Sequence, residues 1–105
     1  MHWYFYLLEF LGGAFLANGV PHFVQGTSGN PFQSPFAKPP GVGESSPLSN
    51  ALWGFGNLLA GALLLHFFRP VGDAAWAGWM SIGLGVLLMA IQLSVVFGKV
   101  RSGKL

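Results

Sequence analysis

Three stretches of the chain, Trp3 to Val24, Leu48 to Phe68 and Ala74 to Phe97, are apolar almost without interruption. Each is long enough to cross about 30 Å of hydrocarbon at about 1.5 Å per residue. A backbone in lipid has no water to bond to and must satisfy its own polar groups as helix, so these runs dictate the architecture. The composition agrees, because 105 residues with 52% hydrophobic and only 8% charged side chains cannot coat a water-soluble globule. The expected fold is an all-α integral membrane protein, a single domain over residues 1–105. Its three transmembrane helices cover about 3–24, 48–68 and 74–97, with a long proline-rich interfacial loop at 25–47 and a tight hairpin joining the second span to the third. The tryptophans Trp3, Trp53, Trp76 and Trp79 fall near the expected boundaries, where indole rings favour the headgroup level.

The first span is expected to be retained, since it has no basic residues before the apolar run, carries Glu9 within it and lacks a small-x-small cleavage site. With no cysteine in the chain, disulfides, thiolate metal sites and cysteine nucleophiles are excluded. Three spans put the amino terminus and the Arg69 to Asp73 turn on one side, with the long loop and the carboxyl-terminal tail on the other. Arg69 stands alone on the first side, while Lys38, Lys99, Arg101 and Lys104 share the second. The bias of positive charge towards the cytoplasm therefore predicts a multi-pass protein of the cell membrane, its amino terminus outside, loop and tail inside. Those few cations are what membrane topology already requires, and nucleic acid is not an expected partner.

Pro21 cannot donate to the carbonyl of Ala17, so the first helix is expected to kink or stop there, leaving His22 at the boundary. Beyond it, Thr27 to Pro47 holds five of the seven prolines together with Phe32 and Phe36. So much proline with spaced aromatics suits an ordered, extended strap whose phenylalanines pack on the helices or dip into the interface. Ser46-Pro47 reads as a helix start, serine at the N-cap and proline at the first helical position, and Asp73 is placed to cap the third helix. Small residues mark every span, among them Gly13, Ala17, Gly54, Gly61, Gly78 and Gly85, and let helix backbones approach closely.

A few polar groups lie inside the apolar runs. Counting about 1.5 Å per residue from each span's midpoint puts Glu9 roughly 7 Å outside the bilayer centre, Ser81 level with it and His66 about 12 Å out. Asn18 and Gln92 fall at similar depths in the other half, with Asn57 between the two groups. Depth permits these sets to meet; helix rotation decides whether they do. Glu9 is the strongest candidate for function, as a carboxylate that binds a cation or cycles a proton with His66 as relay, against the alternative of an acid that ties helices together. The amides of Asn18, Asn57 and Gln92 are commonly interhelical glue in such helices.

His22 and His66 are about 25 Å apart along the membrane normal, too far to ligate one haem iron. No metal site and no cofactor are expected, and His2 with His66 lacks the clustered acids a metal would need. No catalytic residue stands out: paired carboxylates, a phosphate-binding glycine loop and a serine beside a base are all missing, and enzymatic activity is not expected. In outline Glu9 in the first span resembles the carboxylate of the small multidrug-resistance transporters, which have four spans. Pro21-His22 stands where the bacterial half-size sugar transporters, which it resembles in span number, carry Pro-Gln before a shorter loop. The chain is assigned to neither. The leading expectation is a homo-oligomeric channel or transporter for a small solute or ion, at least a dimer, embedded in the lipid bilayer. The rival is a non-catalytic accessory subunit of a larger membrane complex.

Overall fold

The computed structural model describes residues 2–104, as three long helices and a small hairpin. Helix α1 runs Tyr4–Thr27, strands β1 (Phe32–Gln33) and β2 (Glu44–Ser45) follow, then α2 over Pro47–Phe67 and α3 over Ala75–Arg101. All three helices are long and apolar enough to cross a membrane. The strands pair antiparallel, Phe32 opposite Ser45 and Gln33 opposite Glu44, which folds the connection between α1 and α2 back on itself.

Helix α1 is the middle of the molecule. Both α2 and α3 pack along it, while α2 and α3, although joined by a short turn, hardly approach each other. α1 therefore stands between α2 and α3 in a molecule of 46 × 26 × 19 Å. Glycine makes both seams possible. On the α2 side Gly12, Gly19 and Gly26 recur every seventh residue and meet Gly61, Gly54 and the Pro47–Ala51 turn in antiparallel register. A Cβ on Gly19 would stand 2.8 Å from the carbonyl oxygen of Gly54, and one on Gly61 2.8 Å from that of Gly12. On the α3 side Gly13 lies against the Ile82 carbonyl and Gly85 against that of Phe10, so no side chain fits between the backbones there. Such closeness maximises dispersion contact where apolar burial cannot drive helices together.

Helix ends differ from the expectation in three places. α1 does not stop or kink to an end at Pro21 but continues to Thr27, because the segment beyond the proline is held against α2 through Gly26 and through Phe23 on Gly54. Its actual end is a Schellman turn: Gly29 takes φ +80°, its N–H donates to the Gly26 carbonyl, and the Asn30 N–H donates to that of Gln25 at 2.9 Å. α3 likewise runs past Gly98 to Arg101 and closes on Gly103 at φ +75°, with Lys104 N–H donating to the Lys99 carbonyl. Asp73 does not cap α3; the N-cap is Ala74 without a side-chain bond, and Gly72 at φ +80° turns its carbonyl to accept from Ala75 N–H instead. Ser46 does cap α2 as its sequence suggests, accepting from Ser49 N–H at 3.1 Å with Pro47 in the first turn.

The two classes of glycine are separable. Gly85→Val would drive a side chain into the Phe10 carbonyl and is expected to destabilise by about 1–3 kcal/mol or more. Gly83→Val, where the new atoms meet open space, is expected to leave the chain's own stability unchanged. Thermal melts of both variants in detergent, followed by circular dichroism, check this, and equal midpoints would refute the α1–α3 register.

Candidate functional site

Two polar sites emerge, one at each end of α1 and on opposite sides of it. The first is Glu9, which is 0% exposed, with both carboxyl oxygens buried and without a hydrogen-bond partner among the described residues. The carboxyl lies against Gly78 of α3; a Cβ there would stand 2.8 Å from Oε2 and 2.7 Å from the ring of Pro70, so the missing side chain makes the room the acid occupies. Buried Pro70 in the α2–α3 turn closes that end, helped by Phe68, whose ring meets Phe5 edge-on at 5.0 Å. Ionising such a carboxyl without a donor or counter-ion costs several kcal/mol, so the uncharged acid is the form that fits.

The residues placed level with Glu9 by depth do not join it. His66 is exposed and its ring packs on Phe67, while the Ser81 hydroxyl donates to the Ala77 carbonyl of its own helix at 3.1 Å. In the other half, Asn18 Nδ2 donates to Asn57 Oδ1 at 3.0 Å across the α1–α2 seam, and Asn57 Nδ2 to the Trp53 carbonyl at 2.9 Å. Gln92 faces outward on α3, away from this pair.

The second site is built around Asn50. Because Ser46 caps α2 and β2 leads straight into the cap, an amide four residues on stands over the incoming backbone. Asn50 Nδ2 donates to the carbonyls of Ser45 and Ser46 at 3.2 Å and, across the β1–β2 pairing, to that of Phe32 at 3.0 Å. Three carbonyls on one side fix the amide's orientation and leave Oδ1 as an acceptor. His22 Nδ1 lies 2.8 Å from it and must therefore donate. In the neutral ring Nε2 is then an unprotonated acceptor, with no partner among the described residues.

His22 is only 2% exposed, enclosed by rings: Phe32 at 5.4 Å, Phe97 at 6.1 Å and Trp53 at 6.4 Å between centroids. It lines a cleft of about 330 Å³ under the strap, with Asn18, Ser34, Trp53 and Phe97 among its walls. The indole Nε1–H of Trp53 is buried without a partner among the described residues. Ser34 is not a nucleophile poised on His22: its hydroxyl bonds that of Ser45 and accepts from Phe36 N–H at 3.1 Å. Phe32 is buried beneath the Arg101 guanidinium, 5.8 Å above its ring, whereas Phe36 is 64% exposed and touches Trp53 edge-on at 5.0 Å.

No group of three or more potential metal ligands occurs among the described residues. Comparison with protein-family models, with curated proteins and with solved structures finds no match for this chain. Asn50 and Trp53 as a donor were not singled out from sequence, and Gly78 only as a small residue; the available signal was a lone amide in the first turn of an apolar helix.

If Asn50 holds the strap, Asn50→Ala leaves the His22 donor and the strap carbonyls unmatched, each at a cost of about 1–3 kcal/mol. Limited proteolysis should cut the variant quickly between Gly29 and Gly43 while the parent resists. Equal resistance would mean that the strap is held by something else.

Proposed function

We propose that the chain is a multi-pass membrane protein that moves a proton or a small solute coupled to one, working as a homo-oligomer with Glu9 as the proton-carrying group. The observation that carries this reading is the Glu9 carboxyl, wholly buried and without a hydrogen-bond partner among the described residues. An acid kept as helix glue would donate across a seam, as Asn18 does to Asn57, and Glu9 makes no such bond among the described residues. Intramembrane carboxyls are costly to keep and mark ion or proton paths where they occur. In this reading the amino terminus faces outside and the strap and tail face the cytoplasm, the side with Lys38, Lys99, Arg101 and Lys104.

Three helices of which two hardly meet do not enclose a path, so a second copy is needed to complete one. The open faces suit it: α3 is the least covered helix, and Gly56 and Gly83 have nothing within 4 Å of where a side chain would start. The same uncovered α3 face supports a second reading, an accessory subunit seated against a larger membrane complex. Crosslinking in native lipid separates them, through a ladder of the chain's own multiples or a single larger adduct.

Glu9→Gln keeps shape and removes the exchangeable proton. Reconstituted in proteoliposomes with an internal pH dye, the variant should assemble normally yet lose pH-driven flux, and a hydrophobic carbodiimide should modify Glu9 in the parent only. Undiminished flux in the variant, or a Glu9 inert to carbodiimide at all pH values, would overturn the proton-carrying role.

A further inference from the structure

We propose that the cleft under the strap binds the aromatic, hydroxyl-bearing head of a membrane amphiphile, a phenol or hydroquinone, whose apolar tail lies in the adjoining groove between α1 and α3. The inference uses the membrane placement given above but not the transport reading, and it involves residues remote from Glu9.

The head is defined by two unmatched polar groups. His22 Nε2 accepts, because Asn50 holds the proton on Nδ1, and Trp53 Nε1–H donates. The indole N–H is buried and the imidazole Nε2 is left free to accept, and a hydroxyl suits both, accepting from the indole and donating to the imidazole. A ketone meets only the second need. The walls select a ring, because His22 already meets Trp53 and Phe97 of the lining edge-on, and a further flat aromatic fits among such faces. At about 330 Å³ the cleft is large enough for one six-membered ring with its hydroxyls.

The tail is placed by Phe97, which walls both spaces. On its other side lies a groove of about 460 Å³, lined by Ala17, Val20, Pro21, Val86, Ala90 and Leu93. No charged residue lines it, and Pro21 sits next to His22 on the same helix, so the polar cleft and the apolar groove adjoin at one side chain. An amphiphile with head and tail joined at that point would occupy both.

The test uses the full-length protein in lipid nanodiscs with ¹⁵N-labelled indoles, titrated with decylhydroquinone, decylquinone and 1-decanol. Decylhydroquinone should shift the Trp53 indole signal saturably and leave those of Trp3, Trp76 and Trp79 in place. Decylquinone, which cannot donate to His22, and decanol, which has no ring, should bind at least roughly tenfold more weakly. His22→Phe should abolish the preference for hydroquinone over quinone. Ala90→Phe, on the exposed groove wall and free of the polar network, should weaken decylhydroquinone several-fold while leaving methylhydroquinone unaffected. Equal binding of quinone and hydroquinone overturns the head assignment, and an Ala90→Phe variant with unchanged decyl affinity overturns the tail assignment. Absence of any saturable Trp53 shift with all three probes overturns the site.

Discussion

Everything in this fold depends on α1 having a backbone that two other helices can touch. Apolar side chains gain little by meeting one another in an apolar solvent, so the association must come from contact at short range. Glycines every seventh residue on α1 and α2 supply it on one side, and Gly13 with Gly85 supplies it on the other. The two stripes point in different directions around α1, which keeps α2 and α3 apart. The central place of α1 follows directly, and so does the large apolar surface left on α3.

The same geometry distributes the polar groups. Glu9 and Asn18 are nine residues apart, which at about 100° per residue turns them to opposite sides of the helix. Glu9 therefore faces the α3 seam, while Asn18 and His22, one turn apart, face α2. A single three-helix unit cannot bring these into one site. One end of α1 holds an acid closed in by the α2–α3 turn, and the other presents an imidazole to a cleft closed by the strap.

The three helices were legible from hydropathy alone, because length and apolarity leave few alternatives. Their ends were not. Pro21 suggested a stop, since the lost bond to Ala17 is local, but packing of Phe23 and Gly26 on α2 outweighs it. The true stops, Gly29 followed by Asn30 and Gly103 followed by Lys104, carried a signature that composition obscured, in a chain with 16 glycines. Of the polar residues, Glu9 could be picked out by the cost of burying it, and Asn18 and Asn57 by depth. The separation of His66 and Gln92 from them could not be foreseen, because rotation about each axis is set by which small residues face α1. Asn50 was invisible for a related reason: its importance lies in the β1–β2 pairing that brings the Phe32 carbonyl to it, a contact 18 residues away.

The strap does more than close a cleft. Phe32 is its pivot, tied by its carbonyl to Asn50 of α2, by its ring to His22 of α1, and on the far side to Phe97 and Arg101 of α3. α2 and α3 hardly meet along their lengths, so at this end the strap is the element that links them. A change in the hydrogen bonding of His22 would thus be felt first at Asn50, then at the Phe32 carbonyl, then at the ring packed on α3. Each step is a short contact between buried groups, and close-packed groups cannot absorb a displacement without passing it on. The long α3 is pinned at one end by the strap and at the other by the turn that covers Glu9, so like α1 it reaches both polar sites.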